Sequence, residues 1–181
     1  MKIFSFPIFA FLVLIGSIQT IETRDLFDRA PIKIHEAINN QILLDQLNKD
    51  AEIAEKLFSW DKAIEIRKKI LNISENIYKY NNQVTATASY NLGLLYHTLG
   101  QYEKAEPYLK QAIDIDIKLY GSGHTKTATA RNILGLLYSD LGQFSKAELL
   151  LKQALETYKK EYGLQHTKTA SILNNLGFLY K

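Results

Sequence analysis

Residues 86–127 read ATASYNLGLLYHTLGQYEKAEPYLKQAIDIDIKLYGSGHTKT, and residues 128–169 read ATARNILGLLYSDLGQFSKAELLLKQALETYKKEYGLQHTKT. The two 42-residue stretches agree at 25 positions without a gap. Self-similarity at a fixed period of this size marks stacked supersecondary units, none of which can bury its apolar side alone. A third copy opens at Ala170 with ASILNNLGFLYK. Shifting back by the same period finds a degenerate copy, in which Ala51, Ala54, Trp60, Ala63 and Tyr78 stand where Gly93, Tyr96, Tyr102, Ala105 and Tyr120 stand later.

Inside each copy the apolar spacing is helical. Leu92, Leu95, Tyr96 and Leu99 recur at three- and four-residue steps, as do Leu109, Ala112, Ile113 and Ile117. Gly100-Gln101 and Gly142-Gln143 divide each copy into two helices, because glycine suits the left-handed conformation that closes a helix. Gly121 and Gly163 end the second helix in the same way. Thr-Lys-Thr then opens the next one, with a hydroxyl available to cap free N–H groups. Gly93, Gly135 and Gly177 are expected to let a neighbouring helix approach closely, with Ala63, Ala105 and Ala147 answering from the second helices. The recurring Tyr96, Tyr138 and Tyr180, and Tyr120 and Tyr162, are expected to fill spaces between helices while their hydroxyls reach the edge. The fold class that follows is all-α, a right-handed superhelical solenoid of antiparallel helix pairs with no strand signal.

The motif Leu92-Gly93-x-x-Tyr96, then Gly100-x-Tyr102, Ala105, Leu109 and Ala112, resembles the tetratricopeptide repeat signature. Leu134-Gly135-x-x-Tyr138, Gly142-x-Phe144, Ala147, Leu151 and Ala154 match it again. The 42-residue period, Tyr-Gly-x-x-His between copies and Leu173-Asn174-Asn175-Leu176 in the last copy are similar to the kinesin light chain subtype. That subtype usually has His-Pro where this chain has His124-Thr125 and His166-Thr167. The resemblance implies binding of a protein or peptide and is silent on which one. Kinesin transport is not implied, because a secretory leader would carry the chain away from cytosolic motors and no heptad coiled coil precedes the repeats.

The leader is read from the first twenty residues. Lys2 precedes the apolar run Ile3 to Ile15, and Gly16, Ser17, Gln19 and Thr20 follow. This is the layout of a secretory signal peptide. No charge falls between Lys2 and Glu22, so an uncleaved membrane anchor is the alternative. Residues 1–20 are therefore assigned as signal or anchor, and residues 21–41 as a linker and N-terminal capping segment. Residues 42–181 are the repeat domain, in copies 42–84 (degenerate), 85–126, 127–168 and 169–181 (partial). Residues 32–58 read as helical, with Asn39-Asn40 as the place for a break. The expected location is exported, secreted or periplasmic, or membrane-anchored if the first segment stays attached.

Composition narrows the chemistry. The 181 residues are 46% hydrophobic and 23% charged, a globular balance. With no cysteine, disulfide scaffolds, cysteine-ligated metals and cysteine nucleophiles are excluded. A net charge of +3 is too even to predict nucleic-acid binding. His124 and His166 are carried apart by the repeat spacing and read as capping or filling a turn, and His35-Glu36 lacks a second histidine four residues on. Gly121-Ser122-Gly123 lacks the Lys-Ser/Thr of a phosphate loop. Asp114 and Asp116 point to different faces of one helix, so they form no acid–base pair. Asn72-Ile73-Ser74 is a glycosylation sequon in a helical stretch. No catalytic residue, metal site, cofactor or small-molecule substrate is predicted, and the chain does not read as an enzyme.

The candidate binding residues come from helical angle. Leu92, Gly93, Leu95, Tyr96 and Leu99 gather on one side of the first helix, which must be packed. Thr87, Tyr90, Leu94 and His97 fall on the opposite side, which in a stack of pairs lines a concave groove. The equivalent sets are Thr129, Asn132, Leu136 and Ser139, then Ser171, Asn174, Phe178 and Lys181. In the degenerate copy they are Asp45, Asn48, Glu52 and Glu55. An idle solvent face would be charged, whereas three copies here offer small hydroxyls, carboxamides and the apolar series Leu94, Leu136, Phe178. A peptide-binding groove is the leading reading; coverage by the N-terminal segment or by further chain is the bland one. Thr129 and Ile133 supply no charge for gripping a terminal carboxylate, so binding is expected to be weak and salt-tolerant. The alternative function is a structural or assembly component of an envelope or secreted complex, acting through the convex face and an open C-terminal end. The uncovered Leu176, Leu179 and Tyr180 also allow head-to-tail self-association.

Overall fold

The computed structural model describes residues 32–78 and 81–180. The signal or anchor reading of residues 1–20, the linker residues 21–31 and Lys181 lie outside the described residues. Among these residues there are seven α-helices and no strand. They are α1 (Ile32–Lys56), α2 (Trp60–Tyr78), α3 (Gln83–Thr98), α4 (Tyr102–Tyr120), α5 (Thr125–Asp140), α6 (Phe144–Tyr162) and α7 (Thr167–Leu179). The chain divides into two compact units, Met1–Asp45 and Gln46–Lys181.

In the first unit, α1 runs without interruption through Asn39 and Asn40, where the sequence reading placed a break. An interior asparagine costs a helix only about 0.7 kcal/mol or less, too little to break a helix by itself. Ile38 and Leu44, on either side of the pair, are buried. Gln41 Nε2 donates to Asp45 Oδ1 at 2.9 Å, adding one of the four-residue side-chain links that steady exposed helix faces.

The second unit is an all-α repeat solenoid. The pairs α3/α4 and α5/α6 pack most extensively, and α2/α3, α4/α5 and α6/α7 join one pair to the next. The first helices also touch directly, α3 with α5 and α5 with α7. The glycines show how close the pairs come. A Cβ on Gly93 would lie 2.8 Å from Leu109 Cγ, and one on Gly135 would lie 2.9 Å from Leu151 Cγ. The second-helix leucine stands nearest in the space that glycine vacates, and at Gly135 the carbonyl of the expected Ala147 follows at 3.4 Å. Gly177 has nothing within 4 Å, so its expected close approach is not made among the described residues.

The turns are built twice from the same parts. Gly100 and Gly142 adopt φ of 68° and 70°, which a side chain would strain. At the longer corner the helix caps are His124 and His166, not the threonines. His124 Nδ1 accepts from the Lys126 N–H at 3.2 Å, and His166 Nδ1 from the Lys168 N–H at 3.1 Å. Each ring stacks on the preceding tyrosine, Tyr120 or Tyr162, with centroids 4.6 Å apart. The threonines turn backwards instead: Thr127 Oγ1 donates to the Gly121 carbonyl at 3.0 Å, and Thr169 Oγ1 to that of Gly163 at 2.8 Å. Both are fully buried, so satisfying a loop carbonyl outweighs capping that an imidazole already supplies. The tyrosine hydroxyls do reach helix edges: Tyr138 donates to Glu106 at 2.8 Å and Tyr180 to Glu148 at 2.7 Å.

Candidate groove on the first helices

The first helices α3 and α5 bury most of their surface and leave a narrow stripe accessible, whereas α7 buries only Thr169, Ile172 and Leu176 and is otherwise largely open. Thr87, Ser171, Asn174 and Phe178 are exposed on it. Tyr90, Leu94, His97, Thr129, Asn132, Leu136 and Ser139 are half-buried. Leu94 and Leu136 thus keep part of their surface open, and Phe178 is 71% exposed.

Neighbouring first helices are linked across this stripe. His97 Nε2 lies 3.0 Å from Asp140 Oδ2. Asn132 Oδ1 accepts from Asn175 Nδ2 at 2.9 Å. Both links span 43 residues, one more than the repeat, so a given row of one helix meets the adjacent row of the next. Asp140 and Asn175 therefore belong to the face although helical angle alone did not select them. The repeat period plus one is the signal that finds them. The Asn132 oxygen is engaged internally, which leaves its amide hydrogens as the polar offer to an incoming chain.

A second layer supports the face from the second helices. Tyr158 of α6 places its hydroxyl 2.5 Å from Thr129 Oγ1. Thr129 donates onward to the Thr125 carbonyl at 2.9 Å, so Tyr158 is the donor in the shared contact. Burial, and then the nearby Tyr158, raise the Tyr90 phenol above its ordinary value. In the preceding repeat Asp116 of α4 stands where Tyr158 stands, and it lines a cavity of about 180 Å³ with Ala86, Thr87, Tyr90, Lys126 and Thr129. Sequence reasoning dismissed Asp116 as half of a failed carboxylate pair. Its significance lies in which repeat position it occupies.

Among the described residues no cluster of three or more His, Asp or Glu side chains could hold a metal ion, and no helix is long and apolar enough to cross a membrane. The arrangement offers hydrogen-bond donors and acceptors, a partly open apolar row and one buried carboxylate, a set suited to binding.

A tetratricopeptide repeat family profile matches residues 47–118 and 100–160. No curated protein matches the chain. Among solved structures, BtubC (BKLC) from P. vanneervenii superposes with a TM-score of 0.71 at 27% identity, covering 86% of this chain and 61% of that one. A Podosopora anserina structure described as a kinesin light chain with nearly identical TPR-like repeats gives 0.70 at 20% identity, over 76% of this chain and 65% of that one. The Sgt2 TPR domain from Aspergillus fumigatus gives 0.53 at 20% identity, over 73% and 75%. The chain spans less than two thirds of the length of the first two. Their likeness places the 42-residue pairs in the kinesin light chain type of repeat architecture, and repeats of this fold generally serve as non-enzymatic scaffolds for protein–protein interaction. The match covers well over half of the sequence, and the chain belongs to the tetratricopeptide repeat family.

Proposed function

We propose that the chain binds an extended peptide or protein segment along the stripe of its first helices, and that it performs no chemistry of its own. The observation that carries this reading is the composition of the rows that α3 and α5 leave accessible, continued on the more open α7. They hold Leu94, Leu136 and Phe178, flanked mainly by hydroxyls and carboxamides, with Asp140 turned to His97 rather than standing alone, where a merely solvated face would carry more charges. An extended chain laid across the row could bury its apolar side chains against these three and bond through its backbone to groups such as the Asn132 amide.

The test is the double substitution Leu94→Asp and Leu136→Asp. Both residues are half-buried and face the stripe, so the helical content of the protein is expected to persist while partner binding is lost. Retained binding would remove the stripe from consideration.

A second reading is favoured by the exposed face of α7. Leu176, expected to be uncovered, is buried, but Gly177 has open space beside it and Leu173 and Phe178 of α7 and the following Tyr180 are exposed, so this face can accept a further helix from a larger assembly. Light scattering over a concentration series tests self-association through it: growth of mass with concentration supports the idea, and monomer throughout removes a second copy as the occupant. We also propose export, on the strength of Lys2 and the apolar run Ile3 to Ile15. Recovery of the protein outside the cytosol would support it, and exclusive cytosolic recovery would overturn it.

A further inference from the structure

At one turn of the second helix the successive repeats carry Ser74, Asp116 and Tyr158. Two of them are settled within the fold. Ser74 Oγ donates to the Ile70 carbonyl at 2.8 Å, and the Tyr158 hydroxyl bonds Thr129. Asp116 differs. It is only 7% exposed, and no hydrogen bond or ion pair engages its carboxylate among the described residues. What it does line is the cavity between α3 and α5, where its short side chain leaves open a volume of about 180 Å³.

The one cation on the cavity wall is held elsewhere. Lys126 Nζ sits 4.7 Å from the Tyr120 ring centroid and 3.4 Å from the Tyr120 hydroxyl. Burial therefore keeps the Asp116 carboxyl above the ordinary carboxylate range, although Lys126 and then His124 pull it down. Removing a carboxylate from water without a bonded partner is unfavourable for folding. No side-chain oxygen is both fully buried and unpartnered among the described residues, so the Asp116 carboxylate keeps some contact with water. A largely enclosed carboxylate on a cavity wall is a group that a cationic ligand can complete.

We propose that this pocket receives the arginine or lysine side chain of the bound segment, with Asp116 as its counter-ion and the Tyr90 ring and Thr87 as walls for its stem. This inference rests on the groove reading above and specifies its ligand. Guanidinium suits the site best, because it delivers two parallel N–H bonds to one carboxylate and stacks on aromatic faces. The row that Leu94 belongs to agrees with this polarity, running Glu52, Leu94, Leu136, Phe178 from acidic to apolar along the stack. Adjacent packed helices lie about 8–10 Å apart, and an extended chain advances about 3.3 Å per residue. The fitting segment is thus basic at the α3/α5 pocket and apolar about three residues further for each helix crossed toward α7.

The test is selection of a random linear peptide library on the full chain, repeated on Asp116→Asn and on the Leu94→Asp/Leu136→Asp double variant. The expected result is a family of peptides that depends on Leu94 and Leu136, carries arginine or lysine at one fixed place, and loses that basic preference on Asp116→Asn. Replacing the arginine of a selected peptide by citrulline, its uncharged isostere, is expected to weaken binding about tenfold or more on the wild type and to make little difference on Asp116→Asn. Asp116→Asn is expected to stay folded with an unchanged or higher Tm, which separates lost recognition from lost structure. Groove-dependent peptides without a basic place, or with one that Asp116→Asn leaves intact, would overturn this inference and spare the groove reading. Peptides indifferent to the double variant, or no selected peptide at all, would overturn both.

Discussion

The repeats at 85–126 and 127–168 are nearly the same object built twice, and they differ where recognition would be decided. Their scaffolds coincide part by part. Gly93 meets Leu109 as Gly135 meets Leu151, and Tyr120 stacks on His124 as Tyr162 stacks on His166. Behind the accessible stripe they diverge: Tyr158 fills its place and bonds Thr129, whereas Asp116 leaves a cavity and an unpaired carboxylate. Positions shared by the repeats carry packing and corners, and the positions that vary set what the face can hold.

The largest expected effect breaks the comparison at its glycines. Gly135→Leu forces a side chain into the space of Leu151 and is expected to destabilise by about 1–3 kcal/mol or more. The same change at Gly177, where there is open space, is expected to be neutral or to stabilise by up to about 1 kcal/mol, since leucine is the better helix former. Thermal unfolding of the two variants checks both signs. Equal destabilisation would show that something covers α7 in solution.

Next are the buried corner threonines. Thr127→Val and Thr169→Val each leave a loop carbonyl without its hydroxyl donor. Losses of about 1–2 kcal/mol are expected at both. Urea unfolding is the measurement, and a clear inequality would mean that the two corners are not equivalent.

Asp116 supplies the smallest effect and the one with an unusual sign. Its carboxyl is raised in the folded protein, first by burial and against the pull of Lys126 and His124. The folded state therefore holds that proton more tightly than the unfolded chain does. Stability falls as pH rises from the ordinary carboxylate value through the folded one, and the penalty is complete above it. Asp116→Asn is expected to raise Tm modestly at neutral pH, with the gain shrinking as pH is lowered toward 4. Tyr158→Phe, in the equivalent place, is expected to lower Tm slightly at every pH by removing the donor to Thr129.

Much of this could be read from residues alone. The period, the helix boundaries at Gly100, Gly121, Gly142 and Gly163, and the packed side holding Leu92 and Tyr96 all follow from local rules of spacing and backbone freedom. The accessible stripe was legible too, because Thr87, Leu94 and Leu136 are related by helical angle. What escaped depends on contacts between elements. Nothing in a single helix says that His97 pairs with Asp140 rather than with a ligand, or that Asn132 is already engaged by Asn175. Asp116 was invisible for a related reason: its meaning comes from the cavity formed by α3 and α5 around it. Thr127 and Thr169 misled because a hydroxyl beside a helix start can serve either the helix or the loop behind it, and only the seated imidazole decides which.

The most direct trial of the account is calorimetric titration of a library-selected peptide into the wild type and into the Leu94→Asp/Leu136→Asp variant, with circular dichroism recorded on both. The account predicts unchanged helicity and loss of measurable binding in the variant. Undiminished affinity with intact helicity would contradict it, because the row of first-helix side chains would then have no part in holding the partner.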